Sequence, residues 1–193
     1  MPLREEIFQA LYGASLLARL DPRGMSCFNL TIEGFWRSFL AAVISAPLYL
    51  LIVWFQPQTD AAPGLQDVTL FWRIFVETID YFVTWATFPV IMVFVARWMG
   101  LDHLYVTYII AYNWCQALVV LLLVVVSAVI GIGILPETIA GFALTVSFVA
   151  ILYYLWFVTK TALQIEWHLA IALVLLEFVA TLLVGTGVRW VLL

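Results

Sequence analysis

The chain has 193 residues, of which 66% are hydrophobic and only 10% charged, with a mean hydropathy of +1.11. Too little charge is present to cover the surface of a soluble globular domain of this size, whereas helices that face lipid need almost none. Eight Lys and Arg stand against twelve Asp and Glu, for a net charge of −4, and the basic residues are scattered, so the footprint of a nucleic-acid binder is missing.

In chain order, Leu3 to Leu20 is a predicted helix with Ile7, Phe8 and Leu11 on one side and Glu5 and Gln9 on the other. Leu16 and Leu20 fall towards the polar side, so the amphipathicity is imperfect. The helix ends at Asp21-Pro22-Arg23-Gly24, a turn sequence with Pro second and Gly fourth. It reads as an interfacial amphipathic helix lying on the bilayer, with docking of a partner protein as the alternative. Glu5 and Glu6 interrupt the apolar core that a cleaved signal peptide needs, so the first span is expected to direct insertion itself. Residues 1–34 form a cytoplasmic N-terminal segment and residues 35–193 a transmembrane domain.

The first span is predicted from Phe35 to Phe55, with Trp36 and Trp54 as interfacial anchors, a mild bend at Pro47, and Ser45 helping to satisfy the freed backbone. The stretch QPQTDAAPGLQD follows as a loop outside the bilayer. A second helix is predicted from Val68 to Trp98, and on it Arg73, Glu77, Asp80, Thr84 and Thr87 form a stripe that descends into the membrane. One reading makes the stripe a packing face with solvated upper charges; the other makes Glu77 and Asp80 a vestibule that attracts cations.

The third span, Tyr105 to Ile132, is the longest uncharged apolar run. As a helix it measures roughly 42 Å, more than the roughly 30 Å of a hydrocarbon core. Asn113, Gln116, Val120, Val124, Ser127 and Gly131 share one of its sides, and amides there must face other helices rather than lipid. The fourth span is predicted from Thr138 to Val158, and the fifth from His168 to the end of the chain. Glu177 lies in the fifth, roughly 15 Å from either end and so near the middle of the bilayer. A lone acid at that depth belongs on a bundle-facing surface. It reads as a structural pin hydrogen-bonded to Asn113 or Gln116, as a group lining a proton or cation path, or, with least support, as a catalytic acid.

The fold class is thus all-α, a polytopic integral membrane protein with five transmembrane helices in one bundle, the second, third and fifth forming its polar interior. If the spans alternate, Arg4, Arg19, Arg23, Arg37, Arg97 and Lys160 share one side, against Arg73 and Arg189 on the other. That bias puts the N-terminus in the cytoplasm and the C-terminus on the opposite side, with a bacterial inner membrane as the expected location. Cys27 and Cys115 sit at different depths and are not expected to pair. His103 and His168 fall on the same side as Asp102 and Glu166, but no spacing joins them into a metal site, and no cofactor is implied. No nucleophile has an evident base beside it, and no phosphate loop, H-E-x-x-H or C-x-x-C occurs.

A cytoplasmic N-terminal segment, five spans, short inner connections and a C-terminus flush with the outer surface give an architecture that resembles the Yip family of five-helix membrane proteins. The Asp-Leu-Tyr-Gly-Pro signature of many eukaryotic members is absent before the first span, where Asp21-Pro22 is the nearest pair. The resemblance implies a non-enzymatic role in membrane organisation or protein trafficking, and carries over no functional residue. The expected function is therefore a membrane-organising or protein-interaction subunit whose partners are the bilayer, other membrane proteins or a second copy of itself. Its rival is a small cation or proton transporter or channel, with a path from Glu77 and Asp80 past Thr84 and Thr87 to Glu177.

Overall fold

The computed structural model describes residues 2–55, 65, 68–133 and 135–192, with the backbone alone at Phe55. Among the described residues all regular structure is helical: α1 Leu3–Ala18, a 3-10 helix Pro22–Cys27, α2 Ile32–Ser38, α3 Leu40–Phe55, α4 Leu70–Trp98, α5 Asp102–Gly131, α6 Glu137–Leu163 and α7 Trp167–Leu192. Five stretches are long and apolar enough to cross a bilayer, namely Ile32–Trp54, which joins α2 to α3, and the four helices α4 to α7. The loop predicted over residues 56–67 lies outside the described residues except for Leu65, which is buried against Val76 of α4.

The helix boundaries follow from local chemistry. Asp21 accepts a hydrogen bond from the Arg23 backbone at 3.0 Å and so caps the 3-10 helix, with Pro22 at its first position. Hydrogen bonds from the Arg23 side chain hold the Asp21 carboxyl below the usual carboxylate range. Thr31 caps α2 by accepting from Gly34 N at 3.1 Å, and Thr69 caps α4 by accepting from Trp72 N at 3.4 Å. Between α4 and α5 the chain reverses at Gly100, whose φ of +71° is open to glycine at little cost.

The first span differs from the expected single helix bent at Pro47. It breaks at Phe39, where Ser38 Oγ donates to the Phe35 carbonyl at 2.7 Å and competes with the backbone ladder. Pro47 stands inside α3, and one turn earlier the Tyr81 hydroxyl donates to the Ala42 carbonyl at 2.9 Å.

Helix α5 is the axis of the bundle. Every residue from Tyr108 to Cys115 is buried, because α1, α2, α3, α4 and α6 all pack around it. Helix α7 completes the ring by packing on α4 and α6. Tyr108 and Thr159 join α5 to α6 through their hydroxyls at 3.2 Å. The large exposed hydrophobic side chains on the outward faces, such as Val90, Phe94, Phe142 and Leu183, are the surface that a bilayer covers.

Helix α1 docks on the bundle by a face turned partly from the expected one, with Ile7 and Leu11 at its edge. It buries Glu6, Ala10, Gly13, Ala14 and Leu17, while Phe8 remains 73% exposed. Small residues let the backbones approach: a Cβ at Gly13 would stand 2.7 Å from Cys27 Cβ. The Tyr154 hydroxyl of α6 donates to the Ala14 carbonyl at 3.0 Å. Glu6 is held from the other side by Arg37 at 2.6 Å and by Asn29 at 2.9 Å, which fastens α1 to the start of the first span. Arg37 also pairs with Glu33 one turn away.

Candidate functional site

Glu177 sits halfway along α7 and is 6% exposed. Its Oε1 accepts two hydrogen bonds from α5, one from the Tyr112 hydroxyl at 2.8 Å and one from Gln116 Nε2 at 2.6 Å. These donors are one helical turn apart, so a single face of α5 presents both. The second oxygen, Oε2, is buried and has no partner among the described residues. As a carboxylate it has an oxygen left to accept; as the acid it has a proton to give.

Beside this carboxyl lies a cavity of about 380 Å³ bounded by α3, α4, α5, α6 and α7. It exists because α7 is carried by α4 and α6, so that only long side chains from α5 reach across to it. Tyr81, Trp85, Phe148 and Phe178 contribute aromatic walls, and Val120, Leu152 and Val174 aliphatic ones. Glu177 and the pair Asp80 and Arg189 line it at different heights. Twelve residues of α7 separate Glu177 from Arg189, about 18 Å along the helix axis.

The upper pair is an ion pair, Arg189 Nη1 to Asp80 Oδ2 at 3.1 Å, and Thr84 donates to Asp80 Oδ1 at 3.3 Å. Gly185 makes room for it, since a Cβ there would stand 2.9 Å from Arg189 Nη2 and 3.3 Å from Asp80 Oδ2. Tyr49 of α3 donates to Glu77 Oε2 at 2.7 Å and stacks on Tyr81, with ring centroids 4.7 Å apart.

The structure rearranges the sites expected from the sequence. The intramembrane cluster of Glu177, Asn113 and Gln116 divides. Gln116 joins Glu177, but Asn113 accepts from Trp85 Nε1 at 3.1 Å and donates to Ser38 Oγ at 2.9 Å. Residues three apart on a helix are offset by about 60°, and on a helix with neighbours on all sides that offset is enough to send them to different partners. In the stripe of α4, Glu77 and Asp80 are not solvated: each is 8% exposed and engaged by a side chain of another span. Asp80 and Thr84 line the cavity, whereas Thr87 donates to its own helix at Val83 O, 2.7 Å away. Tyr112, Tyr49 and Arg189 complete the site without having been singled out. Tyr112 carried one available signal, its position one turn before Gln116 on the side that faces Glu177.

Among the described residues no three His, Cys, Asp or Glu gather where they could hold a metal ion. His103 and His168 are exposed. No family model matches the chain, and no curated protein and no solved structure matches it.

Proposed function

We propose that the protein is a small carrier in the membrane that takes a proton or cation from its cavity onto Glu177. One observation carries this reading: the midplane carboxyl is half-satisfied, with Oε2 unpartnered beside a cavity of about 380 Å³. An intramembrane ionisable group that lines a cavity is the usual mark of a substrate or proton pathway. A carboxyl whose task is only to pin α7 to α5 has no use for the space beside it, and the Tyr112 and Gln116 bonds to Oε1 would serve that task alone. The Asp80–Arg189 pair is electrically neutral, so Glu177 supplies the net charge of the lining. The cavity therefore favours positive charge and disfavours anions.

In this reading the N-terminus and α1 are cytoplasmic, because six of the eight basic residues lie at that end, and the Asp80–Arg189 end faces the opposite compartment of a bacterial inner membrane. The test is flux through purified full-length protein in liposomes, under an imposed gradient of protons, Rb+ or an organic amine and beside protein-free liposomes. Protein-dependent movement of at least one of the three is the expected result. Tight liposomes that pass none of them would remove the reading, and would favour the Yip-like organising role.

A further inference from the structure

We infer that the occupant of the cavity is an amphipathic organic cation, a protonated amine on an aromatic or branched aliphatic body, whose N–H donates to the half-bonded carboxyl of Glu177 once that side chain turns its buried oxygen to the cavity it lines. The inference rests on the reading of Glu177 as the cavity's binding group and names the class of cation.

Size and lining argue against a bare divalent metal ion. Ca2+ takes six to eight oxygens and Mg2+ a near-ideal octahedron. The polar groups bonded to Glu177 are the Tyr112 hydroxyl and the Gln116 amide, both donating to Oε1, and Thr181 one turn along α7 adds a single hydroxyl to the lining. An apolar cavity of about 380 Å³ is instead within the range that small organic molecules occupy.

Charge and shape then narrow the class. Asp80 is neutralised by Arg189, so a single positive charge balances the site, and it balances best at Glu177. The unpartnered oxygen accepts one further hydrogen bond, which an N–H of an ammonium group supplies and a quaternary ammonium does not. Trp85, Phe148 and Phe178 line the cavity with aromatic surface suited to an organic cation and to its apolar body. The Arg189 guanidinium reaches back to the level of Gly185, about 12 Å along α7 from Glu177, so the space suits an elongated molecule lying with the bundle.

The experiment is equilibrium dialysis of the full-length protein in detergent with 2-naphthylmethylamine, with 2-naphthylmethanol as the neutral analogue of the same shape. The amine is expected to bind about tenfold more tightly than the alcohol, a difference that Glu177→Gln abolishes by removing the charge. Leu152→Trp fills the cavity from α6 and leaves the carboxyl intact; it is expected to abolish amine binding, and it decides the matter if Glu177→Gln does not fold. Equal binding of amine and alcohol overturns the inference. So does a protein that carries protons or Rb+ in liposomes yet binds no amine, in which case the carrier reading stands without it. Amine binding without any flux upholds the amine site and removes the carrier reading.

Discussion

Glu177→Gln is expected to lower protein-dependent proton or cation flux by about tenfold or more, with little change in stability. The amide keeps an oxygen for the Tyr112 hydroxyl and the Gln116 side chain, so the link between α7 and α5 survives while the exchangeable charge does not. Glu177→Leu provides the contrast. It strands the buried Tyr112 hydroxyl and the half-buried Gln116 amide, at about 1–3 kcal/mol for a fully buried donor, and is expected to lower unfolding stability in detergent by about 3 kcal/mol. Flux assays on both variants, with unfolding midpoints measured beside them, separate the two roles. Gln at wild-type flux would deny Glu177 a part in transport, and Leu as stable as Gln would deny the hydrogen bonds theirs.

The second large effect is expected at the Asp80–Arg189 pair. Arg189→Leu leaves a carboxylate on α4 in a site where Asp80 is only 8% exposed, and is expected to destabilise the bundle by about 3 kcal/mol. Asp80→Leu should cost less, because the Arg189 side chain is 26% exposed and can turn towards the membrane surface. The double variant is expected to recover much of the loss, since two apolar side chains can fill the same space without a buried charge. Chemical or thermal unfolding of the four proteins in one detergent gives the coupling energy. Strictly additive losses would mean that the pair does not hold α7 to α4.

What could be read from the sequence tracks what a bilayer demands. Long apolar runs located the five spans to within a few residues, because a membrane helix must satisfy its own backbone and cover the hydrocarbon core. The central place of α5 was visible in its uncharged length, and the burial of Glu177 against the bundle in its isolation, since one acid among apolar residues has few explanations. Pairings across the bundle were not visible. Asp80 meets Arg189 across 109 positions, and nothing local in either segment announces the other. Asn113 and Gln116 read as one polar stripe but serve different helices.

The N-terminal helix shows a different limit of pattern reading. Hydrophobic periodicity pointed to Ile7, Phe8 and Leu11, of which Ile7 and Leu11 pack at the edge of the docked face and Phe8 turns away, while the centre of that face is Ala10, Gly13, Ala14 and Leu17 together with the buried acid Glu6. Close approach selects small residues as readily as apolar ones, and Glu6 is tolerated because Arg37 and Asn29 meet it. The break at Phe39 was hidden as well, since the more familiar breaker, Pro47, stands about two turns further on inside a continuous helix.

The central claim is that the half-bonded carboxyl of Glu177 can be reached from the cavity that this residue lines inside the membrane. Reaction with dicyclohexylcarbodiimide, an apolar reagent that modifies carboxyls within the hydrocarbon region, tests it most directly. In native membranes, mass spectrometry of the α7 peptide is expected to find Glu177 modified, and Leu152→Trp, which fills the cavity, is expected to slow the modification about tenfold. If Glu177 stays unmodified under conditions that label other carboxyls of the chain, or reacts equally fast with the cavity filled, the carboxyl does not face that space and the account fails.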